Sequence, residues 1–353
     1  MVVHRVYGIV GAVVSTGTGG PGASIGLNFA DQELEAGVVA ILRDVETLLV
    51  DAVVSANPLV TEAAQHLVNA GGKRFRPLLV VLGAHFGDPR QENVVRAAAV
   101  VELTHLATLY HDDVMDEAAV RRGAPSANSR WGNAIAILIG DYLFARAADV
   151  ATELGLDAVR IQARTFSRLV HGQIAETAGP LEGEDAISHY LRVISQKTGS
   201  LISTSARFGG MFGGATQEQI EALAVYGETF GMAFQLSDDL LDIASESVQS
   251  GKTPGTDLRQ GVPTLPVLYA LASDDNDAAA VRLREILSAG PVTDDDVHAE
   301  ALALLRESAA MKRARETVRS YAERARASLA PLPRVPARDA LESLCDFIAD
   351  RTN

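Results

Sequence analysis

Leu106-Ala107-Thr108-Leu109-Tyr110-His111-Asp112-Asp113-Val114-Met115-Asp116 closes an apolar run at helical spacing that begins near Glu92. Carboxylates four residues apart share a helix face, so Asp112 and Asp116 project together and Asp113 flanks them. Like charges gathered on the buried side of a helix cost stability unless a cation sits between them. The signature returns as Asp238-Asp239-Leu240-Leu241-Asp242, after Gly231-Met232-Ala233-Phe234-Gln235-Leu236-Ser237, again in an apolar helical stretch. Two such helices facing each other would cage a hard divalent ion, and Mg2+ needs only one or two carboxylates beside water and phosphate. The two motifs therefore point to a diphosphate held through metal between two helices.

Outward from these motifs the helical rhythm continues. Leu34, Val38, Ile41, Leu42, Val45, Leu48 and Leu49 make one stripe, which Asn57-Pro58 interrupts. Shorter helices are expected over Ala63 to Val68 and from Pro77 to His85. Downstream, Asn133 to Leu154, Ala158 to Glu176, Asp185 to Gly210 and Gln217 to Ser245 read as helices. Four more follow before Pro331, and a short last one carries Leu341, Leu344, Phe347 and Ile348. No persuasive strand alternation or short-period repeat interrupts them. The expectation is an all-α chain, a large helical bundle, with one domain over residues 29–353. Residues 1–28 are rich in small residues without periodicity and read as a flexible N-terminal tail.

With 353 residues and 47% hydrophobic residues, the chain has enough apolar material for a sizeable core. Aromatic residues make up only 5%, so Ala, Leu and Val must do the packing, which favours closely spaced helices. The net charge of -14 argues against a nucleic-acid binder and against attraction to anionic membranes. The single cysteine, Cys345, forbids an internal disulfide, and a cytoplasmic location is the simple reading.

Several shorter pieces carry chemistry. Gly71-Gly72-Lys73-Arg74-Phe75-Arg76-Pro77 joins free backbone, three cations and a helix start, a combination suited to phosphate. By itself such a run is more often solvated surface. Arg121-Arg122-Gly123 follows the first acidic motif and reads either as a neutralising cluster or as a diphosphate clamp. His105 lies two helical turns before Asp112 and faces the same way. Gln196-Lys197-Thr198-Gly199 puts a lysine into an apolar helix, and Gln235 shares a helix side with Asp238. For each of these, an ordinary buried or surface role is the plain alternative.

Taken in order, these pieces, with Gly140-Asp141 and Gly255-Thr256-Asp257-Leu258, resemble the trans-isoprenyl diphosphate synthases, also called the polyprenyl synthetase family. The resemblance covers Leu34 to the C-terminus. It implies an all-α bundle around a deep apolar cavity, of the isoprenoid synthase type, usually a homodimer. It implies head-to-tail condensation of isopentenyl diphosphate with an allylic diphosphate, with Mg2+ as cofactor. By the same resemblance Asp112, Asp116 and Asp238 would ligate metal, supported by Asp113, Asp239 and Asp242. Arg121, Lys197 and Lys252 would hold the allylic diphosphate. Lys73, Arg76, His105 and Arg122 would hold isopentenyl diphosphate. The Lys197 carbonyl, Thr198 and Gln235 would steady an allylic cation. No nucleic-acid partner is implied, and membrane contact would at most be peripheral, for product release.

The sequence departs from the family at Gly261-Val262-Pro263-Thr264-Leu265-Pro266, where Val262 replaces a frequent lysine. Product length is expected to depend on the helix face behind Asp112. Short-chain relatives carry a bulky aromatic four or five positions before the first Asp, where this chain has Thr108 and Ala107. With Thr104 one turn further back, nothing large blocks a tunnel there, which favours a long all-trans product of hexaprenyl to decaprenyl length. Such a product would serve as a quinone side chain. A short-chain farnesyl or geranylgeranyl diphosphate synthase and a non-catalytic subunit of a heteromeric synthase are the alternatives.

Overall fold

The computed structural model describes residues 29–244 and 254–351. Sixteen α-helices occur among them. In chain order they are α1 (Gln32–Ala52), α2 (Pro58–Asn69), α3 (Phe75–Ala84), α4 (Glu92–Met115), α5 (Ala127–Trp131), α6 (Asn133–Glu153), α7 (Leu156–Ala178) and α8 (Ala186–Ile194). Then come α9 (Ser200–Gly213), α10 (Gln217–Ala244), α11 (Thr256–Gln260), α12 (Leu265–Leu271), α13 (Ala278–Ser288), α14 (Asp295–Glu307), α15 (Ala309–Ser328) and α16 (Pro336–Asp350). The sequence supplies the starts. Asp31, Asn57, Asp185, Asp277, Asp294 and Ser308 each accept a first-turn backbone N–H at a helix N-cap.

Three local expectations differ from the structure. A two-residue hairpin, β1 (Val120–Arg121) with β2 (Ala124–Pro125), follows the first acidic motif. It is too short to show alternation in sequence. Helix α3 begins at Phe75 rather than Pro77, because Arg74 takes a left-handed conformation (φ 45°) that ends the loop before it. The stretch expected as one helix from Asp185 to Gly210 contains a π turn at Ser195–Gly199 between α8 and α9.

Helices α4 and α10 are the centre of the bundle. Both are buried over most of their length, α4 from Val94 to Asp113 and α10 from Ala222 to Leu240. A helix buried on nearly every side needs apolar residues all round, and both sequences supply them. One apolar cluster gathers α1, α3 and α10 with the C-terminal helices. A second gathers α2, α4 and α6.

Small residues set the spacing. A Cβ on Gly83 of α3 would come within 2.8 Å of the Ala206 carbonyl of α9, and one on Gly213 within 2.7 Å of Ala84 Cα. Real Cβ atoms do not approach so closely, so α3 and α9 meet backbone to backbone. Among the described residues no helix is long and apolar enough to cross a membrane.

Candidate active site

The first motif ends α4. Asp112 and Asp113 lie in its last turn, and Asp116 is the residue that caps it. A helix C-terminus carries a partial negative charge, so three carboxylates there are unfavourable without a cation. Asp112 is 5% exposed, and its Oδ2 has no hydrogen-bond partner among the described residues. Burial first, and then the Asp116 charge, push its carboxyl up to about 7 against the pull of Lys197. Asp113 is fully buried, and burial raises its carboxyl while Arg121 opposes the rise. Arg121 donates from Nε to Asp113 Oδ1 at 2.7 Å. Of the two readings of Arg121, the neutralising pair is the one seen here.

The second motif lies within α10, close to its end. Asp238 accepts a 2.7 Å bond at Oδ1 from Arg351, beyond the end of α16. Asp239 accepts from the Tyr190 hydroxyl and, at 3.1 Å, from Gln235 Nε2. Asp242 shapes the turn into α11: its carbonyl accepts from Gly255 N–H at 2.7 Å and its Oδ2 from Asp257 N–H at 3.2 Å. His298 of α14 holds the Gly255 carbonyl from the other side at 2.9 Å.

A pocket opens beside the first motif. Arg76, His105, Asp112, Lys197, Thr198 and Gln235 form its polar part. Phe144, Phe166, Leu169 and Val193 are among its apolar walls, with the Phe144 and Phe166 rings 4.2 Å apart. The π turn carries Lys197 and Thr198, and such turns inside helices concentrate at functional sites. Thr198 donates to Gln235 Oε1 at 3.2 Å, and Lys197 forms an ion pair with Glu176 of α7. Gly172 makes room for this, since a Cβ there would stand 2.9 Å from Lys197 Cγ.

The cationic loop divides its labour. Arg76 lines the pocket and Lys73 Nζ is buried beside it in sequence. Arg74 turns away and pairs with Glu46 and, at 3.0 Å, with Glu102, so this third cation secures α3 to α1 and α4. Arg122 donates to the Leu67 carbonyl at 2.8 Å and to the Gly71 carbonyl. In this structure it therefore braces the glycine loop. Gly72 permits the approach, because a Cβ there would meet the Arg122 guanidinium at 2.8 Å. His105 is buried, and burial followed by the charges of Arg76, Arg122, Arg121 and Arg74 hold it neutral, well below its usual range.

The expected chain-length residues separate. Thr108 lines the pocket. Ala107 is fully buried, and a Cβ on Gly140 of α6 would lie 3.3 Å from its carbonyl. Gly140 thus lets α6 come close to the main chain of α4 at this level. Thr104 is buried and bonds to the Val100 carbonyl at 2.8 Å. Lys252 and the proposed tail over residues 1–28 lie outside the described residues.

The carboxylates fit a divalent ion. Among the described residues no three acidic or imidazole groups gather closely enough to hold an ion unaided. Mg2+ does not require such a cage, because water and diphosphate complete its shell. The buried Asp112 oxygen at a negative helix end is a donor that suits a cation. Three residues escaped the sequence reading: Arg351, Tyr190 and Glu176. Each reaches its partner across many residues of chain, and no spacing rule connects them.

Comparison with known proteins gives the same direction throughout. A family profile described as "Polyprenyl synthetase" matches residues 57–305. A nonaprenyl diphosphate synthase of Mycobacterium tuberculosis is 53% identical over 92% of this chain and 97% of its own length. Among solved structures, a geranylgeranyl pyrophosphate synthase of Corynebacterium glutamicum, complexed with calcium and isoprenyl diphosphate, aligns with a TM-score of 0.84 at 45% identity. It covers 93% of this chain and 100% of that one. A decaprenyl diphosphate synthase of Rhodobacter capsulatus aligns with a TM-score of 0.81 at 34% identity, over 91% and 99% of the two chains.

Proposed function

The chain belongs to the polyprenyl synthetase family and is a prenyltransferase, and from that premise we propose its substrates, its product and the roles of its residues. It condenses isopentenyl diphosphate head to tail onto an allylic diphosphate and extends an all-trans chain to long, quinone side-chain length. The observation that carries this is the pocket itself. Asp112 of α4, Arg76 of α3 and Lys197 of the π turn stand at its polar part, beside an apolar wall.

Asp112, Asp116 and Asp238 would hold Mg2+. When bound, Mg2+ draws charge from a diphosphate and makes it a better leaving group. Lys197 holds the allylic diphosphate, exchanging its Glu176 partner for phosphate oxygen. Arg76 and Lys73 hold isopentenyl diphosphate near neutral His105, and Arg122 keeps their loop in place. The Thr198 and Gln235 oxygens lie where positive charge develops on the allylic carbon, and fixed dipoles there favour the transition state. Phe144, Phe166 and Leu169 exclude water that would quench the cation. The single domain over residues 29–353 acts as a homodimer in the cytoplasm. Exposed Leu138 of α6 and Ile174 of α7, 60% and 58% accessible, support a partner on that face.

Long product length is supported by the nonaprenyl synthase relative. Product analysis is the experiment that tests it. Purified protein receives Mg2+, isopentenyl diphosphate and, separately, dimethylallyl, geranyl, farnesyl or geranylgeranyl diphosphate, with chain length read by mass spectrometry. A ladder ending at one long length supports this reading. A product of geranylgeranyl length or below replaces it with the short-chain one. No product from any primer points to a non-catalytic subunit. Sedimentation of the same preparation tests the dimer.

A further inference from the structure

Arg351 lies one residue beyond α16, where the sequence shows nothing but a basic residue near the chain's end. Its guanidinium is nonetheless buried, with a side chain only 8% exposed. The fork engages three groups on one stretch of α10. Nε donates to Ser237 Oγ at 2.6 Å, and one terminal nitrogen donates to Asp238 Oδ1 at 2.7 Å and to the Phe234 carbonyl at 3.1 Å. The plane also lies over the Phe234 and Phe347 rings, at 5.0 and 5.5 Å from their centroids.

The two helices are spaced to deliver this contact. Tyr226 of α10 donates to the Leu341 carbonyl of α16 at 2.9 Å, a second tether upstream. From Tyr226 to Ser237 is about 16 Å of helix rise, and from Leu341 to Arg351 about 15 Å. The helices therefore run side by side in the same direction.

We propose that Arg351 is a positioning residue for the second acidic motif: it fixes the rotamer of Asp238 so that Oδ2 is presented to a divalent ion. This rests on the reading of Asp238 as a metal ligand given above. A ligating carboxylate whose other oxygen is held by a fixed donor binds metal better, and loss of such outer partners weakens metal affinity about 10–100-fold. Arginine suits the place because one rigid fork reaches both Ser237 and Asp238, which a lysine ammonium cannot do. The opposite expectation is equally concrete. If Arg351 were only a competing cation, removing it would tighten metal binding.

The test titrates Mg2+ into full-length protein with inorganic pyrophosphate and reads binding by calorimetry, beside steady-state kinetics. Arg351→Met should raise the Mg2+ half-saturation about 10-fold or more, and Arg351→Lys should fall between it and the unaltered protein. Tyr226→Phe loosens the other tether without touching Asp238 and should leave the half-saturation unchanged. In kinetics, excess Mg2+ should restore most of the kcat of Arg351→Met. An unchanged or lower half-saturation in Arg351→Met overturns the inference. So does an equal rise in Tyr226→Phe, which would mark general loosening of the C-terminus. Absence of Mg2+-dependent pyrophosphate binding by the unaltered protein overturns the metal reading of Asp238, and this inference with it.

Discussion

At the end of α4, Asp113 is neutralised by Arg121, eight positions further along the chain; in α10, Asp238 meets Arg351, 113 positions away. The middle carboxylates differ in kind as well. Asp113 is held by a full charge, and Asp239 by the neutral donors Tyr190 and Gln235. The first motif thus brings its own counter-charge in the hairpin that follows it. The second is completed by α8 and the C-terminus. The same aspartate spacing yields two sites with different dependence on the rest of the fold.

Neutralising the two middle carboxylates is the strongest way to sharpen this contrast. Asp113→Asn leaves Arg121 buried without its charge partner and should cost about 3–5 kcal/mol of stability in urea denaturation. Asp239→Asn weakens the hydrogen bonds from Tyr190 and Gln235 and should cost about 1–3 kcal/mol. Equal losses would break the comparison. The outer carboxylates should behave alike despite their neighbours. Asp112→Asn and Asp238→Asn should each lower kcat/KM by about 10²–10³-fold at saturating Mg2+, because each removes a group that stabilises charge in the transition state.

A smaller effect separates the helices by pH. His105 on α4 is held neutral in the fold, whereas an unfolded histidine titrates near 6.5. As pH falls below about 6.5, the unfolded chain gains a proton at His105 that the folded chain refuses, so this residue contributes a decline in stability, opposed in the same window by Asp112, which takes up a proton in the fold first. His105→Gln should flatten that decline between pH 7 and 5, measured as unfolding free energy at each pH. The α10 counterpart, Gln235→Glu excluded, offers no titrating group, so Gln235→Ala should leave the slope as it was. The smallest effect is that of Tyr190→Phe, which removes one hydroxyl donor from Asp239 and should cost about 0.5–1.5 kcal/mol. A larger loss would mean that the neutral donors matter as much as Arg121 does.

The helices were legible because apolar periodicity is local, and so was the pairing of Arg121 with its motif. Family resemblance suggested the substrate roles of the site. What the sequence hid depends on contacts that distant segments make. Nothing near Arg351 indicates that α16 lies beside α10 with its end at Asp238. The π turn at Ser195–Gly199 has ordinary helix-forming neighbours, and its wider winding appears only where Lys197 must pass Gly172. At Ala107 a small residue fits an open tunnel and a tight helix contact equally well, so spacing alone does not distinguish them.

The contact between α3 and α9 has a mechanical consequence. A Cβ on Gly209 would crowd the neighbourhood of Gly83 and Ala84, and one on Gly213 would crowd Ala84, so the helices advance together in register. Arg76 sits in the first turn of α3, and Lys197 in the turn that feeds α9. If Arg76 and Lys197 hold the two diphosphates as proposed, the jaws are mounted on rails with no side-chain cushion between them. Rearranging a rotamer cannot open such a caliper, and one added methyl group on either rail would reset its gap. On that proposal the distance between the two reactants would be gauged by main chain, while the walls of the pocket could change residue by residue.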